Sequence, residues 1–478
     1  MKKSIYILII GFVAFMQQSC NEDLLTQIPD DVISEDLVIK STEKLHRLLN
    51  GSYNEISRGA YLGRNLYKRA AVKGTDFRFV KTTFNPRDYE QTEYRYEESA
   101  SNNGEATSLW LQAYKTVGNL NLILDHVDQS VGKIAAKKQL KAAAYALRGM
   151  VYFDLARTFC YPWIKGGASL QGLPLKLSAT QEVTRRSDLG TTYAQIISDL
   201  NNALKLINEN TWEEGSTKYI TKTGIYALLA RVYLYKEDWN DALLYAKKVL
   251  AVRGENYLMT VQNYIFNDAT SESLFEINIG SENSLGSNGL GAQFDQQEGG
   301  QGDVIATQNF VDLLNVYEGD PRAKLLSEDK EGGTHAYVKY INRAGGSGLS
   351  IHNIPVLRLS EMYLIASEAA ANLAFDTASQ TYLNTLIKYR TTNFQAHKVT
   401  VTGSQLKKRI YEERRRELAL EGHGVYDYIR TGRTIHRTGN DYFGTGVNAN
   451  NLKIDAFAPQ TIYPIPASEL HFKQTQGY

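Results

Sequence analysis

Residues 229–246 decide the fold: Leu229-Ala230-Arg231-Val232-Tyr233-Leu234-Tyr235-Lys236-Glu237-Asp238-Trp239-Asn240-Asp241-Ala242-Leu243-Leu244-Tyr245-Ala246. Apolar residues recur at helical spacing on both sides of a short polar turn. A second stretch repeats the pattern. Ile365-Ala366, Ala369, Phe375, Ala378 and Tyr382 answer Leu229-Ala230, Tyr233, Trp239, Ala242 and Ala246, each 136 residues later. The small residues allow two antiparallel helices to approach closely, and the aromatic is expected to wedge at their crossing.

A small residue, a three-residue step, an aromatic after a turn and an Ala three later is tetratricopeptide spacing. The two copies do not form a tandem array, so the helix pairs are interleaved with other material. Working outward, helical pattern fills 108–128, 135–159 and 191–207, the last with Ile196, Ile197, Leu200, Leu204 and Ile207 on one stripe. Pairs are expected at about 108–160, 191–251 and 357–420, with irregular segments at 55–104, 260–350 and 430–478. The expected class is mainly α: tetratricopeptide-like helix pairs form a superhelical scaffold packed against a loop-rich region, in one domain over 41–478.

The chain has 478 residues, 43% hydrophobic and 22% charged, in the ordinary range for a globular protein. Its net charge is +1, from 53 basic and 52 acidic side chains. No global field gathers nucleic acid, and no basic stripe interleaved with aromatics appears. Two cysteines, Cys20 and Cys160, are too few for a disulfide framework or a cysteine zinc site. Cys160 ends an apolar helix and reads as a buried thiol.

Residues 1–19 read as a secretory signal. Lys2 and Lys3 precede an apolar run of 11 residues from 5 to 15. That is short of the roughly 20 needed to span a bilayer. The run ends in Met16-Gln17-Gln18-Ser19-Cys20, a small residue before a lone Cys, as in bacterial lipoprotein signals, although Gln17 stands where Leu is usual. Lipidation, palmitate included, is expected on Cys20, with 20–40 as the tether. Glu22 and Asp23 resemble the surface-export signal of Bacteroidetes-type lipoproteins.

Glu413, Glu417 and Glu421 share one helical face in the charged string 409–422. Paired carboxylates can hydrolyse glycosides. Here Arg409, Arg414 and Arg416 lie within one turn and would keep them ionised, so a structural ion-pair helix is the expected reading. The eight histidines form no HExxH; His423 and His436 have no ligand spacing to other donors, and no metal or cofactor is expected. Nucleophile-elbow, P-loop and dinucleotide motifs are absent.

Contact chemistry is expected in 74–98, which carries Asp76, Phe77, Arg78, Phe79, Phe84, Arg87, Tyr89, Tyr94 and Tyr96. In an extended strand Tyr94 and Tyr96 would share a face. Such rings suit a sugar's C–H faces, and Asp76 and Arg78 could orient its hydroxyls. The competing reading makes these aromatics core side chains of an irregular region.

Several strings together resemble the SusD/RagB family. Tyr145-Ala146-Leu147-Arg148-Gly149 with Tyr152 is similar to its "ALRA..Y..L" helix, and Gly172-Leu173-Pro174 to its "G.P" turn. Residues 219–233, ending Ala227-Leu228-Leu229-Ala230-Arg231-Val232-Tyr233, resemble "K.AA.ALLARVYL". Residues 358–369 resemble "R..E..L..AEA", and 412–430 "ERR.EL..EG.R..DL.R", with His423-Gly424 and Asp427-Tyr428-Ile429 as departures. Tyr463-Pro464-Ile465-Pro466 with Glu469 resembles "P.P..E".

The resemblance implies a non-enzymatic lipoprotein on the exterior of the outer membrane. It would cap a TonB-dependent, SusC-like transporter and capture oligo- or polysaccharide, or in some branches peptide or another nutrient. The resemblance places the ligand between 74–98 and a loop at 281–303, which adds Asn283, Phe294, Asp295 and Gln296 to the expected contacts. A surface glycoside hydrolase built on Glu413 or Glu417, and a purely protein-binding scaffold, are the readings from other classes.

Overall fold

The computed structural model describes residues 40–79, 88–180, 185–208, 216–294, 301–302, 304–328, 335–340, 351–442 and 447–470. The protein is mainly helical. A first helix, α1 (Thr42–Ser57), is capped by the Ser41 hydroxyl, which accepts from the Lys44 amide, and packs on α4 (Gly104–His126). From α4 each helix lies against the next: α5 (Ile134–Phe159), α6 (Leu189–Leu206), α7 (Lys222–Tyr235), α8 (Trp239–Val252), α9 (Leu359–Asn372) and α10 (Asp376–Lys388). Then α11 (Gly403–Glu417) packs on α9.

The spacing that suggested helix pairs has the expected cause. Ala230, Ala242, Ala246, Ala366 and Ala369 are all fully buried at the helix contacts. Gly149 serves the same end on α5: a Cβ there would meet Leu200 Cγ at 3.1 Å and the Ile196 carbonyl at 3.3 Å across on α6. The aromatic wedge needs correction. Trp239 is only half-buried and Phe375 is 56% exposed. In the second pair Ala378 is exposed and its neighbour Ser379 is buried instead, donating to the Ser367 carbonyl at 2.8 Å. Small side chains thus close these pairs, and the aromatics lie at the helix starts rather than in the crossing.

The stretch 55–104, expected to be irregular, contains α2 (Asn65–Val72) and α3 (Asp88–Arg95). All eight residues of α2 are buried, Lys68 and Arg69 in ion pairs with Glu105 and Glu98, so it has no solvent-facing side. Four short strands, β1 (Phe77–Phe79), β5 (Val304–Ala306), β7 (His335–Tyr337) and β6 (Leu326–Glu328), form an antiparallel sheet in that order. Two further antiparallel pairs are β2 (Gln171–Pro174) with β3 (Arg186–Asp188), and β4 (Ser273–Ile277) with β8 (Ile354–Arg358). Cys160 is buried, and burial pushes its thiol pKa up, as expected for an unreactive structural thiol. No helix among the described residues is long and apolar enough to cross a membrane.

Candidate functional site

Asp76 lies between α2 and β1, and its carboxylate is not open. It accepts from Arg415 Nε at 3.0 Å and Nη2 at 2.5 Å, and from the Thr75 hydroxyl at 3.0 Å. Its carbonyl accepts from the Thr307 amide at 2.9 Å. Asp76 therefore fastens the N-terminal region to α11. Arg78 is half-buried on β1, with Nη1 near the Phe79 carbonyl at 3.4 Å.

The strand expected to carry Tyr94 and Tyr96 is instead the end of α3, with Tyr96 just beyond it at φ 62°. Tyr94 is fully buried: Phe79 meets its ring edge-on at 5.1 Å, Tyr442 stacks at 5.9 Å, and the Arg437 guanidinium lies 4.9 Å above it. Tyr96 is also buried, its hydroxyl donating to the Lys73 carbonyl and its ring 4.2 Å below the Lys73 ammonium. The two rings do not make an open platform. The physical reason lies far away in sequence. Arg437 donates to the carbonyls of Tyr94 and Val72, each at 2.8 Å, and so closes the chain ends around α2 and α3. Tyr94→Ala is accordingly expected to cost about 3 kcal/mol of stability. Any glycan binding should then fall only with the folded fraction, as calorimetric titration beside a melting curve would read.

Phe294 ends a buried turn, Leu290–Phe294, and packs on Phe77 at 6.1 Å, so it belongs to the core and not to a loop face. Asp295 and Gln296 lie outside the described residues, as does Cys20.

The acidic face of α11 has the structural role expected of it. Glu413 and Glu417 are fully buried. Arg322 reaches Glu413 at 2.6 Å and Glu417 at 2.9 Å; Arg390 and Arg358 reach Glu417 at 2.9 and 3.0 Å. Glu421 takes Arg358 at 2.7 Å and Lys339 at 2.5 Å. Burial raises the Glu413 pKa, but Arg322 and Arg416 outweigh it and hold the carboxyl below its usual range. A general acid needs the reverse. His423 is buried, and desolvation with Arg231 nearby keeps its pKa well below the usual imidazole value. No group of three metal-ligating side chains occurs among the described residues.

Among the described expected contacts, Asp76 lines a narrow cavity of about 20 Å³, and Asn283 borders a much larger cleft of about 360 Å³. One wall is a face of α1, where Asn50, Tyr53 and Asn54 follow at i, i+3 and i+4. Lys218 and Tyr219, just before α7, form the second, and Asn278 and Glu282, after β4, the third. The base is rigid. The Tyr53 hydroxyl accepts from the Ile220 amide at 3.1 Å, and the Tyr53 ring stands edge-on to Tyr219 at 5.2 Å and to Phe275 at 6.2 Å. Asn283 pins the loop: Oδ1 accepts from the Gly280 amide at 2.7 Å, and Nδ2 donates to the Asn278 carbonyl at 3.0 Å and to Ser57 Oγ at 3.3 Å. Sequence reasoning missed this site because its walls come from three distant stretches, none with a motif of its own.

The helical scaffold thus carries a polar cleft, and Glu413, Glu417 and Glu421, held in ion pairs, do not line it. Two family models match the chain: "Starch-binding associating with outer membrane" over residues 23–234, and "SusD family" over 333–475. SusD-like protein P2 of Formosa agariphila is 25% identical over 500 residues, covering 93% of this chain and 94% of its own. A SusD superfamily protein of Bacteroides thetaiotaomicron superposes with a TM-score of 0.82 at 28% identity, over 92% of this chain and 100% of that one. A Bacteroides vulgatus protein to which sugar binding has been ascribed superposes with a TM-score of 0.80 at 29% identity, over 92% and 99%. The chain belongs to the SusD/RagB family.

Proposed function

We propose that this protein is a cell-surface lipoprotein that captures oligo- or polysaccharide and delivers it to a TonB-dependent, SusC-like transporter of the outer membrane. Family membership supports the role. The observation that carries it is the cleft at α1, whose amide and tyrosyl lining matches the hydroxyls and C–H faces of a sugar. Glu413, Glu417 and Glu421 are held in buried ion pairs and do not line the cleft, which supports binding without cleavage. Purified protein run through gels containing different polysaccharides should be retarded by at least one of them and release no reducing ends. Reducing ends released at the protein's own rate would make it an enzyme, and failure to bind any glycan would remove the capture role.

Anchoring follows from Cys20. A single myristoyl-length chain binds membranes only marginally, so stable attachment needs several acyl chains on one residue. Cys20→Ser is expected to move the protein from the membrane fraction to the soluble fraction in cells lacking the transporter. Retention of the variant in that membrane fraction would sink the lipoprotein reading.

A further inference from the structure

We infer that the cleft between α1 and the loop after β4 is a saccharide subsite whose occupant is an uncharged sugar chain. This rests on the glycan reading above and adds the side chains that hold the sugar and its charge class. Asn283 spends its amide on the loop, so it shapes the site without offering hydrogen bonds to a ligand. The groups left over are the amides of Asn50 and Asn278 and the Nδ2 of Asn54, which make no hydrogen bond with the described residues. An amide side chain presents a donor and an acceptor together. A sugar hydroxyl also needs both, and vicinal hydroxyls can pair with two amides set one helical turn apart. Asn50 and Asn54 have that i, i+4 spacing on α1. The Tyr219 ring, half-buried and braced by Tyr53, supplies the apolar surface that the C–H face of a pyranose requires. The volume lies within the range of about 300–1,000 Å³ usual for small-ligand sites.

The charge class follows from Lys218 and Glu282. Both are exposed at the cleft, and neither is ion-paired with a described residue. One ammonium and one carboxylate leave the cleft with no net charge, so it has no field to draw in an anionic or a cationic chain. A uronate, sulfated or amino sugar would meet one like and one opposite charge there, gaining nothing net to offset the cost of desolvating its own charge. A neutral hexose chain carries no such cost.

Calorimetric titration of the full chain with neutral hexose oligosaccharides, uronate and sulfated oligosaccharides, and peptides tests this. A neutral oligosaccharide should bind. Asn50→Ala should weaken it about fivefold, the worth of one hydrogen bond. The melting temperature should be unchanged, because Asn50 is exposed on a helix. Tyr219→Ala should weaken binding roughly tenfold. Glu282→Gln should leave the neutral ligand unaffected and improve binding of uronates. A neutral ligand bound equally well by Asn50→Ala and Tyr219→Ala would place the sugar elsewhere, overturning the subsite but not glycan capture. Should Tyr219→Ala fail to fold, Asn50→Ala decides alone. Preference for acidic oligosaccharides would overturn the charge class, and preference for peptides would overturn the saccharide occupant. Binding of no glycan at all would sink the capture role and the subsite with it.

Discussion

Glu417→Gln is expected to lower the unfolding free energy by about 3–5 kcal/mol at pH 7. Glu417 accepts from Arg322, Arg390 and Arg358, and all four side chains are at most 3% exposed. Glu272 shares two of these cations, meeting Arg390 at 2.7 Å and Arg358 at 2.9 Å. The network joins α11, the end of α10, β8 and the segment around Arg322. Removing its central carboxylate leaves three buried guanidiniums with one negative charge fewer, a far larger penalty than the worth of any single pair. Burial raises the Glu417 pKa, but the three arginines outweigh burial and hold it well below the carboxylate range. A depressed folded-state pKa stabilises above the unfolded value of about 4.3, and that stabilisation is lost as pH falls toward the folded value. The gap between wild type and variant should therefore be full at pH 7 and narrow below about pH 4. Urea titrations at both pH values read it directly, the midpoint moving while the slope stays constant. The exposed pair Arg47–Glu43 is the control: Glu43→Gln should change the midpoint hardly at all. A loss below about 1 kcal/mol for Glu417→Gln would mean that the network relaxes around the vacated charge.

Trp110→Ala should cost about 3–5 kcal/mol, the range for truncating a buried aromatic. Trp110 lies on α4, 2% exposed, with Tyr114 at 4.8 Å and Phe159 edge-on at 4.9 Å. Phe159 in turn meets Tyr463 at 5.6 Å, so the truncation opens a void where α4, α5 and the C-terminal segment meet. Trp239, which the repeat pattern marked as a core wedge, is half-buried and should cost about 1–2 kcal/mol on the same change. Chemical denaturation of both variants ranks them. An equal loss would restore the wedge reading of Trp239.

The sequence alone determined the helix-pair scaffold and the family. The reason is that alanines at helix contacts and apolar stripes are local, periodic demands of packing, visible without knowing the partner helix. The α11 carboxylates were legible for a similar reason, since arginines one turn away already argue for ion pairing, although Arg322, Arg358 and Arg390 came only with the fold. Tertiary structure decided the rest. Tyr94 and Tyr96 are core residues because Arg437, more than 300 positions later, reaches the backbone beside them. Whether a tyrosine faces water or packing depends on what lies opposite, and alternation along one strand does not carry that. The cleft likewise exists only because α1, the turn before α7 and the loop after β4 meet in space. Its asparagines are unremarkable in sequence and become a site through convergence.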